Sequence, residues 1–94
     1  MQYEWNAEKA RRNQLKHGVS FETAALVFDD PHAKSVLERI ENDEERWQTI
    51  GKVEGVLVLL VAHTYRGSEG YERIRIFSAR KATPRERQIY EEDL

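Results

Sequence analysis

The sequence has 94 residues, a formal net charge of −2 and no cysteine. A chain of this length fits one compact domain, placed here over residues 1–94, and the absence of cysteine excludes disulfide frameworks and thiolate zinc sites. The longest apolar run, Val56 to Ala62, is about a third of a membrane span and the start of the chain lacks a signal-peptide pattern, so we expect a soluble cytoplasmic protein without membrane contact.

Two helices are predicted near the N-terminus. Asn6 can cap the first, because its side chain can accept a hydrogen bond from a free amide of the first turn, and Gly18 follows its expected last turn at Lys16. Ser20 begins the second helix, which is expected to end at Asp29 to Pro31. Apolar residues at i, i+3, i+4 and i+7 form the core face of this helix, namely Phe21, Ala24, Ala25 and Phe28.

Four strands are predicted after Pro31, at residues 35–40, 46–51, 56–64 and 71–78, and strands in series favour an antiparallel meander. Glu54 and Gly55 are typical of a tight turn between the second and third strands. The run from Val56 to Ala62 has no polar alternation, so we expect it to be buried on both faces at the centre of the sheet.

A third helix is predicted near the C-terminus. Thr83 and Glu86 have the spacing of a capping box, and Pro84 occupies the first helical position. The helix should run toward Tyr90. The whole order of elements predicts an α+β domain.

Positive charge is concentrated in residues 66–87, which contain seven cations and three anions, whereas five acids lie between residues 38 and 45. On the last strand, Arg73 and Arg75 alternate with Ile74 and Ile76, so one face should be packed and the other basic. Local cation density of this kind is what binds phosphate, although a solvated surface of mixed charge is an equally simple explanation.

The common catalytic motifs are absent from the sequence. It has no thiol, glycine-rich phosphate loop, serine elbow or paired zinc histidines, so no metal site and no cofactor is expected. The arginine side chains are the remaining candidates for a catalytic role. Metal-free cleavage of RNA requires deprotonation of the 2′-hydroxyl, stabilisation of the phosphorane charge and protonation of the leaving oxygen, and arginine suits the second of these roles.

Because arginine is a poor base, general acid or base work falls to four other candidates, namely His63, Lys81, Glu86 and Tyr90. Glu86 and Tyr90 are four residues apart and share one face of the last helix. A helix cap and a core aromatic residue explain that pair equally well.

RNA binding has two further candidate features. Tyr65 could stack against a base, although a half-buried strand-end tyrosine is the alternative. On the first helix Lys9, Arg12 and Lys16 recur at i, i+3 and i+7, which gives a basic stripe or simply a solvated helix face.

Three segments together resemble the BrnT toxin family. They are Tyr-Glu-Trp-Asn at residues 3–6, Lys-His-Gly-Val-Ser-Phe-Glu at residues 16–22, and Arg-Ile-Phe-Ser-Ala-Arg-Lys-Ala-Thr at residues 75–83, followed by Glu86, Arg87 and Tyr90. The resemblance spans nearly the whole chain.

The resemblance implies a RelE-like α+β fold with a short N-terminal strand, two helices, a four-stranded antiparallel meander and a C-terminal helix. It further implies an endoribonuclease that inhibits translation and is neutralised by a BrnA-type antitoxin. The toxin would reach operator DNA only within the repressing antitoxin complex, and its assembly stays open between a dimer and a heterotetramer with the antitoxin.

The resemblance also implies two catalytic arginines, Arg66 after the central strand and Arg80 of the Ser-Ala-Arg segment, with Lys81, Glu86 and Tyr90 nearby. Residues 67–70 look long for a connection, so Arg73 or Arg75 could replace Arg66 at the substrate. The alternative function is a non-catalytic RNA-binding or protein-interaction module on the same scaffold.

Overall fold

The computed structural model describes residues 1–68 and 71–92. In chain order, its elements are β1 (Gln2–Glu4), α1 (Ala7–His17), α2 (Phe21–Ala25), a 3-10 helix (Leu26–Asp29), β2 (Lys34–Glu41), β3 (Glu44–Val53), β4 (Leu57–Ser68), β5 (Tyr71–Lys81) and α3 (Pro84–Glu91). The predicted α+β class is confirmed. None of the helices in these residues has the length and apolar character that a membrane span requires.

All five strands form one mixed sheet in the order β1-β5-β4-β3-β2. Strands β2 to β5 are the predicted antiparallel meander. β1 extends it at the β5 edge in the parallel direction, with Tyr3 opposite Ile74. Asn42 and Asp43, both at positive φ, form the tight turn between β2 and β3, and such turns favour these two residue types.

The three predicted helix starts are confirmed by their caps. The side chains of Asn6, Ser20 and Thr83 each accept a hydrogen bond from the backbone amide three residues later. Gly18 ends α1 in the left-handed region at φ 70°. The second predicted helix is divided in the structure, because α2 tightens into the 3-10 helix after Ala25.

The main core lies between one face of the sheet and the α1, α2 and 3-10 segments, and we call this the helix-covered face. Its fully buried side chains include Phe21, Ala24, Val27, Leu59, Val61, Ile74 and Ile76. α3 packs on the opposite face, where Tyr90 contacts Ile50 and Val58. The helices therefore leave much of that second face open.

The central strand differs from its predicted bounds at both ends. Val56 is 84% exposed in the turn before β4, so the apolar run is not buried throughout as predicted. At the other end β4 continues to Ser68, and Arg66 lies within the strand rather than after it. Gly67 pairs with Glu72, so the connection that looked long is partly strand, and residues 69–70 lie outside the described part of the chain.

Candidate active site

Strand register brings five arginines to the open face of the sheet. Arg66 is directly opposite Arg73, and Arg75 is opposite Thr64, so these side chains share one face. Arg80, further along β5, is opposite Leu60 on the same face. We call the part of this surface formed by β3, β4 and β5 the basic face; its arginines are Arg46, Arg66, Arg73, Arg75 and Arg80. The sequence left open which of Arg66, Arg73 and Arg75 faces the substrate. In the structure all three side chains point to the same side of the sheet.

Carboxylates from distant parts of the chain offset part of the positive charge at one end of the basic face. Glu44, just after the β2–β3 turn, accepts hydrogen bonds from Arg66 Nε at 3.2 Å and Nη2 at 3.0 Å. Glu4 of β1 lies within 3.9 Å of one terminal nitrogen of each of three arginines, Arg66, Arg73 and Arg75. Two carboxylates thus compensate three arginines in part, and this end of the face stays positive.

The other end of the basic face contains a bidentate ion pair between Arg80 and Glu86. Arg80 Nη1 and Nη2 donate to the two carboxylate oxygens at 2.7 Å and 2.9 Å. Glu86 also closes the capping box by accepting from the Thr83 amide. The hydrogen bond from Arg80 is the main cause that lowers the pKa of Glu86 to about 2, so its carboxylate is a weak base.

The two ends are far apart along the sheet. Leu60, the partner of Arg80, and Arg66 are six residues apart on β4, which corresponds to about 20 Å of strand. Arg66 is held by Glu44 and Arg80 is held by Glu86, so the two predicted catalytic arginines are fixed at opposite ends of the basic face.

An aromatic ring lies between the two ends. Phe77 occupies the bulge where the β4–β5 register shifts, and the Arg46 guanidinium lies 4.1 Å from its ring centroid. Lys9 Nζ of α1 is 5.3 Å from the same centroid. Cation–π contact of this kind positions Arg46 over the middle of the face.

The basic stripe of α1 borders the same region. Lys9, Arg12 and Lys16 are exposed and line a shallow groove of about 290 Å³ together with Phe77 and Ser78. Arg12 also pairs with Glu8 at 3.2 Å. The groove continues the positive surface from β5 onto the helix.

His63 and Tyr65 are not brought to the arginines. They lie on the helix-covered face, and the His63 ring is fully buried between Phe28 and Tyr65. Its Nε2 is 2.6 Å from the Thr49 hydroxyl. Burial lowers the pKa of His63 to about 4, so the ring is neutral, and the sheet separates it from the basic face.

Tyr90 and Lys81 are also displaced from the arginines. The Tyr90 hydroxyl donates to Asp30 at 2.5 Å, and its side chain is 2% exposed. Burial, together with this hydrogen bond, raises the pKa of Tyr90 to about 12. Lys81 is opposite Leu59, so it leaves β5 on the helix-covered side. Among the described contacts of the predicted acid and base residues, Glu86 contacts a predicted catalytic arginine through its side chain, and Lys81 does so only through its backbone carbonyl oxygen.

The sequence reasoning missed four residues of the site, namely Glu4, Glu44, Arg46 and Phe77. Alternation along β3 was a usable signal for Arg46, which must face away from its neighbour Trp47. Glu4 had no comparable signal, because β1 has three residues and pairs with β5 about 70 positions later.

The mixed sheet and the helices together match the fold of a known class of toxin. The chain is similar to the 1.1 Å crystal structure of the Brucella abortus ribonuclease toxin BrnT, with a TM-score of 0.69 and 25% sequence identity over 88% of this chain and 97% of that chain. No curated protein sequence matches significantly. The fold is that of a BrnT ribonuclease toxin.

A comparison of the sequence with family models identifies the family. The model of the family "Ribonuclease toxin, BrnT, of type II toxin-antitoxin system" matches residues 5–86. The chain belongs to the BrnT ribonuclease toxin family, as the resemblance indicated. Membership of a type II system implies a protein antitoxin as partner.

Proposed function

We propose that the protein is a metal-independent endoribonuclease toxin that cleaves RNA through attack of the 2′-hydroxyl on the adjacent phosphate. The observation that supports this most strongly is the convergence of five arginines on one open sheet face. Arginine stays charged and binds phosphate oxygens with a planar fork, which favours a phosphorane over the ground-state diester.

Arg80 is our choice for transition-state stabilisation. Its guanidinium has five N–H donors, of which three bind Glu86 and the Lys81 carbonyl oxygen. Two donors stay available to a phosphate while Glu86 fixes the orientation of the fork. Preorganised donors of this kind lower the barrier because they need no rearrangement as charge develops.

Arg66, Arg73 and Arg75 would bind a neighbouring stretch of the RNA backbone, and Arg46, Arg12 and Lys16 would extend the contact. Phosphate contacts of this kind give affinity that falls steeply with salt. The proposed substrate therefore lies across the sheet from the Arg80 end to the Arg66 end.

The test is an RNA cleavage assay in the presence of a chelator. We expect a 2′,3′-cyclic phosphate on the product, and Arg80→Ala should lose on the order of 3 kcal/mol of transition-state stabilisation, roughly a hundredfold in rate. Arg80→Lys retains the charge without the fork and should recover little. Arg85→Ala removes an exposed cation of α3 and is the matched control. Wild-type cleavage by Arg80→Ala would contradict the assignment.

One observation favours a non-catalytic RNA-binding or protein-interaction module as the second candidate. His63 and Tyr90 are buried, and the pKa of Glu86 is lowered to about 2, which makes its carboxylate a weak base, so none of these three residues is a strong general base beside Arg80. The same assay decides between the two: a module would bind RNA and leave it intact in every variant.

The antitoxin, which we take to be of the BrnA type, would cover the basic face and thereby block RNA. Adding it should displace RNA from the toxin, and a stable ternary complex would refute this mode of neutralisation. In cell-free translation, wild-type protein should inhibit synthesis and Arg80→Ala should not. We place this activity in the cytoplasm, with operator DNA contacted only through the antitoxin complex.

A further inference from the structure

The carboxylate of Glu4 lies among three arginines at distances longer than a hydrogen bond. Its Oε1 lies 3.9 Å from Nη1 of Arg66 and 3.9 Å from Nη1 of Arg75, and its Oε2 lies 3.9 Å from Nη1 of Arg73. None of these distances is that of a hydrogen bond. Moreover, Oε1 is buried and has no hydrogen-bond partner. Three guanidinium groups thus surround a carboxylate without binding it closely.

A carboxylate that served only to hold this sheet edge together would be expected to form short bonds. The Arg80–Glu86 pair on the same face does so, at 2.7 Å and 2.9 Å. An unpaired buried carboxylate oxygen is costly, because it has lost water without gaining a donor. The Glu4 carboxylate therefore offsets positive charge, but it is too far away to accept a hydrogen bond from any of the three arginines.

We propose that Arg66, Arg73 and Arg75 form a binding pocket for one phosphodiester group of RNA and that Glu4 is an internal competitor which this phosphate displaces. The inference rests on the proposed function, since it takes RNA as the ligand of the basic face. A phosphodiester presents two non-bridging oxygens that share one negative charge and have several lone pairs, so it can accept from all three arginines at once.

The charge of the pocket supports this ligand. Three guanidinium groups and two carboxylates, Glu4 and Glu44, leave a net charge of +1. Displacing Glu4 exposes a charge of +2 to the incoming monoanion. Glu44 has hydrogen bonds to Arg66 and can stay in place as its anchor.

Glu4 is able to leave the pocket without disturbing the sheet. It is the last residue of β1, and its side chain is 30% exposed. The backbone register opposite Arg75 does not depend on the side-chain rotamer. A change of rotamer is therefore enough to turn the carboxylate toward solvent.

The test measures binding of a single-stranded oligoribonucleotide whose 2′-oxygens are methylated, so that it binds but cannot be cleaved. Fluorescence anisotropy is recorded over a range of KCl concentrations. Glu4→Gln should bind about fivefold more tightly, the effect of one unit charge at about 4 Å in a medium of high dielectric constant. Its salt dependence should keep the wild-type log–log slope, because the same phosphate contact is made in both proteins once Glu4 has been displaced. Glu22→Gln, an exposed acid on α2, is the matched control and should change neither value.

A second pair of variants keeps the test valid if Glu4→Gln does not fold. Arg73→Gln should weaken binding, and Glu4→Gln with Arg73→Gln, which has the original charge balance, should restore most of it. Weaker binding by Glu4→Gln, or equal binding by Arg73→Gln and the double variant, would overturn the proposal. If wild type and all variants fail to bind the oligonucleotide, RNA is not the ligand and both proposals fall. Binding that follows the expected order without cleavage of ordinary RNA would refute only the nuclease activity.

Discussion

The guanidinium of Arg80 donates two parallel hydrogen bonds to the carboxylate of Glu86, and this pair joins the end of β5 to the first turn of α3. The same carboxylate accepts from the Thr83 amide. One side chain therefore completes a helix cap and orients the arginine that we assign to catalysis. If Arg80 has the proposed role, changes at Glu86 should affect both stability and activity.

Replacing Glu86 should make the protein less stable in a pH-dependent way. The pKa of Glu86 falls from 4.5 to about 2 on folding, so its stabilisation is complete above pH 4.5 and is lost as pH falls toward 2. The full shift corresponds to about 3 kcal/mol, but the side chain is 27% exposed, and screening reduces this to about 1–2 kcal/mol. Urea unfolding of Glu86→Gln should show this loss at pH 7 and little difference from wild type near pH 2. Glu92→Gln, at the exposed end of α3, is the control; a loss independent of pH would contradict the argument.

His63 should produce a separate pH effect at higher pH. The ring is fully buried, and its pKa drops from 6.5 to about 4, so the unfolded chain binds a proton that the folded protein does not. Stability should therefore decrease as pH falls from about 6.5 to 4, by roughly 2–3 kcal/mol. His63→Gln should abolish this dependence of stability on pH, whatever the free energy of unfolding of the variant itself. Replacing the exposed His32 with glutamine should preserve it, and an unchanged slope in His63→Gln would rule out His63 as its source.

Asn13 should be the polar residue of α1 on which the fold depends most. Its side chain donates to the Val19 and Ala79 carbonyl oxygens at 3.0 Å and 2.8 Å and accepts from the Ala79 amide at 3.1 Å. Asn13→Ala leaves these buried backbone groups unpaired, which should lower the free energy of unfolding by about 3 kcal/mol. The exposed neighbour Gln14 is the matched control, and its alanine variant should stay within about 0.5 kcal/mol of wild type. A similarly small change in Asn13→Ala would mean that water replaces the lost bonds.

The helix caps were predictable because each is a local pattern. Asn6, Ser20 and Thr83 each bond an amide three residues ahead, so a short window of sequence contains the whole interaction. The parallel pairing of β1 with β5 was not predictable in this way, since three residues carry no periodicity. The contact between Glu44 and Arg66 was not predictable either, because Glu44 lies among the acids of residues 38–45 in the sequence but folds back onto Arg66. Charges that are segregated along the sequence are thus interleaved in space.

The faces of β4 show a second limit of sequence reading. Its apolar run has no alternation, so the side on which His63 lies could not be read from that run. The two-residue period nevertheless indicates that Tyr65 and Arg66 point to opposite faces, and the structure shows them doing so. Applying that rule would have removed Tyr65 from the candidate RNA-binding residues beside Arg66. The bulge at Phe77 breaks the period on β5, which is why Phe77 was overlooked.

Gly51 should tolerate no side chain, because β3 passes very close to the 3-10 helix. A Cβ at this position would lie 2.8 Å from Val27 Cγ1 and 3.1 Å from the Val27 carbonyl oxygen. Val27 is fully buried, so the clash cannot be relieved by turning toward solvent, and Gly51→Ala should cost about 1–3 kcal/mol in thermal or urea unfolding.

A double-mutant cycle with Val27 isolates this contact. Val27→Ala removes the methyl that the new Cβ meets, so adding Gly51→Ala to that variant should cost less than it does in the wild type. The difference between the costs of Gly51→Ala in the two backgrounds measures the clash with the Val27 methyl group. The cost that Gly51→Ala still has in the Val27→Ala background reports the clash with the carbonyl oxygen. Additive losses in the double variant would place the intolerance of Gly51 in the β3 backbone itself and not in its packing against the 3-10 helix.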